Sequence, residues 1–148
     1  METATYEPYV AEIDRLIRRV SFVIKCRGRD ILEEFHITTP QFNALLVLRE
    51  NAGMTIGDLG SRMYLASSTA TDLIDRMERD GLVARERDSS DRRVVRLRML
   101  EKGHEMIRQV LENRKRYLNE LLSKLSREEI EALKKSLESL YILMKPGL

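Results

Sequence analysis

The chain of 148 residues has one cysteine, three prolines and almost no net charge. A lone Cys26 excludes an internal disulfide framework and a cysteine zinc finger, and it fits a reducing cytosol. The balance of 26 Lys+Arg against 24 Asp+Glu leaves a formal charge of +2, so a polybasic tail is not the basis of any function. No run of about 18 apolar residues occurs, which excludes a membrane-spanning helix from the reading. The opening METATYEPYV lacks a basic-then-apolar layout, so no secretory leader is expected. There is no glycine-rich phosphate loop, no nucleophile elbow and no helical His pair for a metal, so an enzyme is not expected. Glu33-Glu34 and Glu128-Glu129 are paired acids in charged helical stretches rather than a catalytic pair.

What remains is long helical patterning with a different middle. Pro8, Pro40 and Pro146 lie before, between and after the helix-like stretches. Residues 8–35 carry Val10, Ile13, Leu16, Ile17, Val20, Val23, Ile24, Ile31 and Leu32 at three-and-four spacing, one face of a long helix. A second helix is predicted with Thr39 as its cap, Pro40 at its first position, and Phe42, Leu45, Leu46 and Leu48 inside. Thr55 caps a short helix with Asp58 in its first turn; another helix starts at Ser67–Ser68 and stops at Gly81. Leu82–Asp88 and Arg92–Met99 read as two strands about a turn at Asp88–Asp91. Glu101–Leu125 is helical, and Ser126–Glu129 is a capping box opening a last helix that buries Ile130, Leu133, Leu137, Leu140 and Met144 before Pro146-Gly147. The terminal leucine-rich faces exceed what the small middle can cover. The economical solution is an arm built from both ends and paired with a second copy, a C2 homodimer.

The helix from residue 67 to 80 places Ala70, Leu73, Ile74 and Met77 in one stripe and Ser68, Asp72, Asp75, Arg76 and Arg79 opposite, with Thr69 and Thr71 flanking. A helix closely preceded by another, with short polar residues at its start, fits a major groove. The hairpin sharpens this reading. Four of the seven residues from Arg92 to Arg98 are arginine (92, 93, 96 and 98) and none is acidic. Tip arginines on a ribbon can enter a minor groove, and the others can hold phosphates. Every basic residue from 54 to 100 is arginine, whose planar fork suits such contacts.

The run Leu65-Ala66-Ser67-Ser68-Thr69-Ala70-Thr71-Asp72-Leu73-Ile74-Asp75-Arg76-Met77-Glu78-Arg79-Asp80-Gly81-Leu82-Val83 resembles the recognition helix of MarR-type regulators. Asp88-Ser89-Ser90-Asp91-Arg92-Arg93, Leu97 and Glu101-Lys102-Gly103 resemble their wing and the entry to the next helix. The resemblance implies a mainly α fold with a small β-hairpin wing: a winged helix-turn-helix over 36–100, and a helical dimerisation region from 1–35 and 101–148. It implies a cytoplasmic homodimeric repressor on pseudo-palindromic double-stranded DNA, released by a ligand or oxidant, with a small phenolic or aromatic inducer as a further partner and no cofactor. Ser67, Ser68, Thr69, Thr71, Asp72 and Arg76 are then expected in the major groove. Arg92 and Arg93 are expected at the minor groove or its phosphates, with Arg96 and Arg98 supporting the wing or touching backbone. By resemblance alone, a ligand site falls where the dimer helices meet the winged domain, with Phe22, Phe42 and Tyr117 as lining candidates.

Three departures accompany the resemblance. Leu100 stands where a capping Thr is usual, Ala66 lacks a capping oxygen so that Ser67 takes the task, and Asp72 is acidic where a basic or small residue is frequent. Asp72 must accept from cytosine N4 or pair with a nearby arginine. Cys26, beside Lys25, Arg27 and Arg29, lacks the tyrosine-rich surround of the peroxide-sensing branch and reads as inert. His36 and His104 do not reproduce the metal-sensing branch, because Arg108 stands where its second His would be; no metal site is expected. The rival from another class is a winged helix that binds protein without reading DNA.

Overall fold

The computed structural model describes residues 5–145, and the Pro146-Gly147 terminator therefore lies outside the described residues. Its order is α1 (Pro8–Glu34), α2 (Thr39–Glu50), α3 (Ile56–Arg62), α4 (Ser67–Arg79), β1 (Val83–Arg87), β2 (Val95–Met99), α5 (Glu101–Leu122) and α6 (Arg127–Met144). The sequence-predicted order of helices and hairpin is the observed one.

Local chemistry sets most boundaries. Thr55 and Asp58 exchange side-chain and backbone hydrogen bonds at the start of α3, and Ser126 and Glu129 do the same for α6. The cap of α2 is Thr38 rather than Thr39. Thr38 pairs with Gln41 three residues on, which moves Pro40 to the second helical position. Gln41 is buried and also donates to Asp80 Oδ2 at 3.1 Å, tying the start of α2 to the end of α4. At α4, Ser67 does not act as the cap. Ala66 holds that position without a side-chain bond, and Ser67 is already helical.

The hairpin is shorter than its apolar alternation predicts. β1 and β2 pair antiparallel with Val83 opposite Met99 and Arg87 opposite Val95, so Arg92, Arg93 and Val94 fall in the turn. The cause is Asp88, whose Oδ2 accepts from the Ser90 hydroxyl at 2.6 Å and from the backbone N–H groups of Ser90 and Asp91. That turn closes through Val94 N–H to Asp91 O at 3.0 Å. The ribbon is anchored by Leu97 N–H to Met54 O at 2.8 Å and by Leu100 N–H to Leu82 O at 2.9 Å. α5 ends at Leu122 instead of Leu125.

Two compact units divide within α5, at Leu111 and Glu112. In the first, Leu45, Leu59, Ile74, Met77, Val83 and Val110 are almost fully buried and bring α2, α3, α4, the hairpin and the start of α5 around one core. Leu46, expected inside, is half-buried at its margin. Only Ile31 and Leu32 of α1 are buried. The rest of its apolar face, Val10, Ile13, Leu16, Ile17, Val20, Val23 and Ile24, is exposed by 39–56%. In the second unit α6 buries no residue: Leu133, Leu137, Leu140 and Met144 are exposed and Ile130 is half-buried, so the face expected to be buried is not covered by its own chain. No described helix is long and apolar enough to cross a membrane.

Candidate nucleic-acid interface

α3 and α4 meet closely because both contact positions are small. A side chain begun at Gly60 would lie 3.2 Å from the Ala70 methyl. α4 turns Ala70, Leu73, Ile74 and Met77 into the core. Ser67, Ser68, Thr69, Thr71, Asp72 and Arg76 are all exposed on its remaining surface. The Thr71 hydroxyl donates to Ser67 O at 2.9 Å, so its oxygen is left to accept. Asp72 makes no ion pair with the described residues. Its carboxylate is an acceptor facing solvent, and the pairing alternative for it is not realised.

The other acids on α4 share one arginine from the sheet. Arg85 reaches Asp75 Oδ1 at 2.6 Å and Glu78 Oε1 at 2.9 Å, while its backbone N–H donates to Glu78 Oε2. The hydrogen bond that the guanidinium donates to Asp75 holds it further on its charged side. This clamp, absent from the sequence reading, locks β1 to α4 and reduces the negative charge of the pair beside the recognition surface from two to one. Its residues lie seven and ten positions apart across the turn from α4 to β1, so no single helix or strand period relates them.

The wing arginines divide by partner. The Arg92 side chain has no partner among the described residues. Arg93 is held by Asp91 at 3.0–3.2 Å but stays 91% exposed. Arg96 joins Asp88 Oδ1 at 2.8 Å to Gly53 O at 2.9 Å, bracing the hairpin turn against the loop after α2. Arg98 pairs with Glu86 across the strands. Arg87, which the sequence reading passed over, donates to Arg92 O at 3.0 Å and so fixes the tip backbone. The Asp88 carboxyl is driven far below the ordinary carboxylate value, first by the Ser90 hydroxyl, then by Arg96 and the Asp91 N–H.

The three ligand candidates do not share a setting. Phe42 is a core residue at 5% exposure, and Phe22 is 67% exposed on α1; Tyr117 is half-buried in the other unit. Two open clefts, of about 480 and 380 Å³, flank the Arg96–Gly53 brace, and neither includes any of the three. His36 and His104 are exposed, and among the described residues no group of three His, Cys, Asp or Glu gathers to hold a metal. Cys26 is half-buried, with Arg29 Nη2 at 3.4 Å from its sulfur.

A short helix packed on a longer polar one and followed directly by an arginine-tipped ribbon defines a winged helix-turn-helix, the scaffold of a class of DNA-binding regulators. Residues 37–95 match the MarR family. The HTH-type transcriptional regulator YsmB of Bacillus subtilis is 45% identical over 137 residues, 93% of this chain and 94% of that protein. The organic hydroperoxide resistance transcriptional regulator of the same organism is 35% identical over 76% of this chain and 75% of its own. A MarR family protein from Bacillus stearothermophilus superposes with a TM-score of 0.84 at 48% identity, covering 97% of this chain and all of that one. The chain belongs to the MarR family and is a transcriptional regulator with a DNA-binding winged helix.

Proposed function

We propose that the protein is a repressor that binds a pseudo-palindromic operator as a homodimer and leaves it when a small aromatic molecule binds. The observation that carries DNA readout is the exposed row on α4 beside a wing tip whose Arg92 is uncommitted among the described residues. Ser67, Ser68 and Thr69 approach base edges or phosphates, Thr71 and Asp72 accept from base amino groups, and Arg76 lies further along the same face. Arg92 and Arg93 take the minor groove or its phosphates. Arg96 and Arg98 act through the wing's shape.

The dimer rests on the apolar faces of α1 and α6 and the second half of α5, which are exposed in the single chain. Residues 1–35 and 101–148 form the arm of this reading, and 36–100 the reader. A C2 pair sets two recognition helices about 34 Å apart, one turn of duplex. Footprinting on the DNA upstream of its own gene tests the operator. Sedimentation of wild type and of Leu137→Glu tests the arm: the variant is expected to be monomeric and to lose the operator, and a well-folded wild-type monomer would refute the reading.

The hydroperoxide-resistance relative favours a second reading, release by an oxidant. Cys26→Ser is expected to leave operator binding unchanged before and after hydroperoxide treatment. A loss confined to the wild type would replace the ligand by an oxidant.

A further inference from the structure

Among the described residues, three helices end in the same pair of reverse hydrogen bonds, and each needs a left-handed residue just past the cap. After α4 that residue is Gly81, at φ 73°. After α1 it is His36, at φ 54°, a type enriched in this conformation. After α3 it is Tyr64, at φ 55°, with Tyr64 N–H bonded to Ser61 O at 3.3 Å and Leu65 N–H to Gly60 O at 2.8 Å. A bulky aromatic is poorly suited to this backbone. Nothing among the described residues offsets that cost, because Tyr64 is 97% exposed. For the isolated fold, glycine would be the better residue at this position.

The surroundings of Tyr64 point to what its side chain meets. It precedes the first residue of α4 by three positions, at the helix end that carries Ser67 and Ser68. Its exposed neighbours along the chain are the polar Ser61, Arg62, Ser67 and Ser68 and the small Ala66, and Tyr64 is the one large hydrophobic side chain exposed between Ile24 and Leu118. A single exposed aromatic with no other large exposed apolar side chain in its stretch of chain does not form the centre of a protein-docking patch. A phenol hydroxyl is, however, a regular donor to DNA phosphate oxygens.

We infer that Tyr64 is a positioning residue for DNA, its hydroxyl donating to a backbone phosphate at the edge of the groove that α4 enters. This rests on the DNA-binding reading of the winged helix. The contact sets how deeply the N-terminus of α4 sits and carries no sequence information of its own. The backbone strain at Tyr64 persists because the phenol hydroxyl is used in the complex.

The test compares wild type, Tyr64→Phe and Tyr64→Gly by thermal melting and by binding to the footprinted operator and to random duplex across a salt range. Tyr64→Gly is expected to melt about 2–4 °C higher, by relief of the left-handed strain, yet to bind both duplexes about tenfold more weakly. Tyr64→Phe is expected to melt like wild type and to bind as weakly as the glycine variant. The salt slope should not change, because a neutral hydroxyl releases no counterion. A Tyr64→Phe protein that binds like wild type would overturn the phosphate contact while leaving the DNA-binding reading intact. A wild type that binds no duplex at all would overturn both.

Discussion

Gly103 and Gly28 are both helical glycines, and replacing each by alanine is expected to move stability in opposite directions. Gly103 lies in the first turn of α5, buried against the hairpin. A methyl there would stand 2.7 Å from Leu82 O, 2.7 Å from Met99 Cγ and 3.2 Å from Leu45 Cδ2. The methionine can swing aside, but the carbonyl is held, since it accepts from Leu100 N–H at 2.9 Å. Overpacking of this kind costs about 1–3 kcal/mol, and alanine's helix preference returns up to about 1. Gly103→Ala should therefore destabilise the fold by roughly 1–2 kcal/mol. Because α5 then rides off the wing strands, DNA affinity should fall with it. Gly28 lies inside α1 with nothing within 4 Å of an added methyl. Gly28→Ala should gain about 0.4–1 kcal/mol, through helix preference and a less flexible unfolded chain. Urea unfolding at one fixed protein concentration reads both, the concentration being fixed because a dimer's stability depends on it. A Gly103→Ala protein as stable as wild type would refute the close approach of α5 to Leu82 on which this expectation rests.

Arg92→Ala should leave the melting temperature unchanged, weaken operator and random duplex alike, and flatten the salt slope by about one unit for each phosphate that the arginine neutralises. Arg96→Ala should lower the melting temperature as well, because it opens the Asp88–Gly53 brace; salt titration beside calorimetry separates the two. Asp72→Ala should relax preference at one base pair per half-site by about 1–3 kcal/mol in competition against single-base operator variants, and an unchanged preference would remove Asp72 from the readout. The Asp88 carboxyl titrates below the ordinary value of 3.8 in the folded protein. Its contribution to wing stability is thus complete above about pH 5 and is lost as the pH falls from there toward its folded value. Carboxyl-carbon NMR checks this, and a midpoint at or above 3.8 would contradict the turn geometry.

The starts of α3 and α6 and the end of α4 were legible because each is written within a few residues of chain. Thr55 with Asp58, Ser126 with Glu129 and Gly81 after α4 are contacts that the chain makes with itself over one turn, so residue order alone specifies them. The long apolar faces of α1 and α6 were equally plain as patterns, yet a pattern does not say whether its own chain or another covers it; here Leu133 and Leu137 stayed outside. The hairpin was legible as alternation, but its length was not, because the Asp88 side chain competes with the ladder for Ser90 and Asp91 N–H groups. The arginines were countable from the sequence, whereas their roles came only from tertiary structure. Arg85 finds Asp75 and Glu78 across the α4–β1 turn, and Arg96 finds Gly53 from 43 residues away. Arg92 is left with no partner among the described residues. A charged side chain reads the same in sequence whether it is braced or free, and only the packing of distant elements decides which of them remains available to DNA.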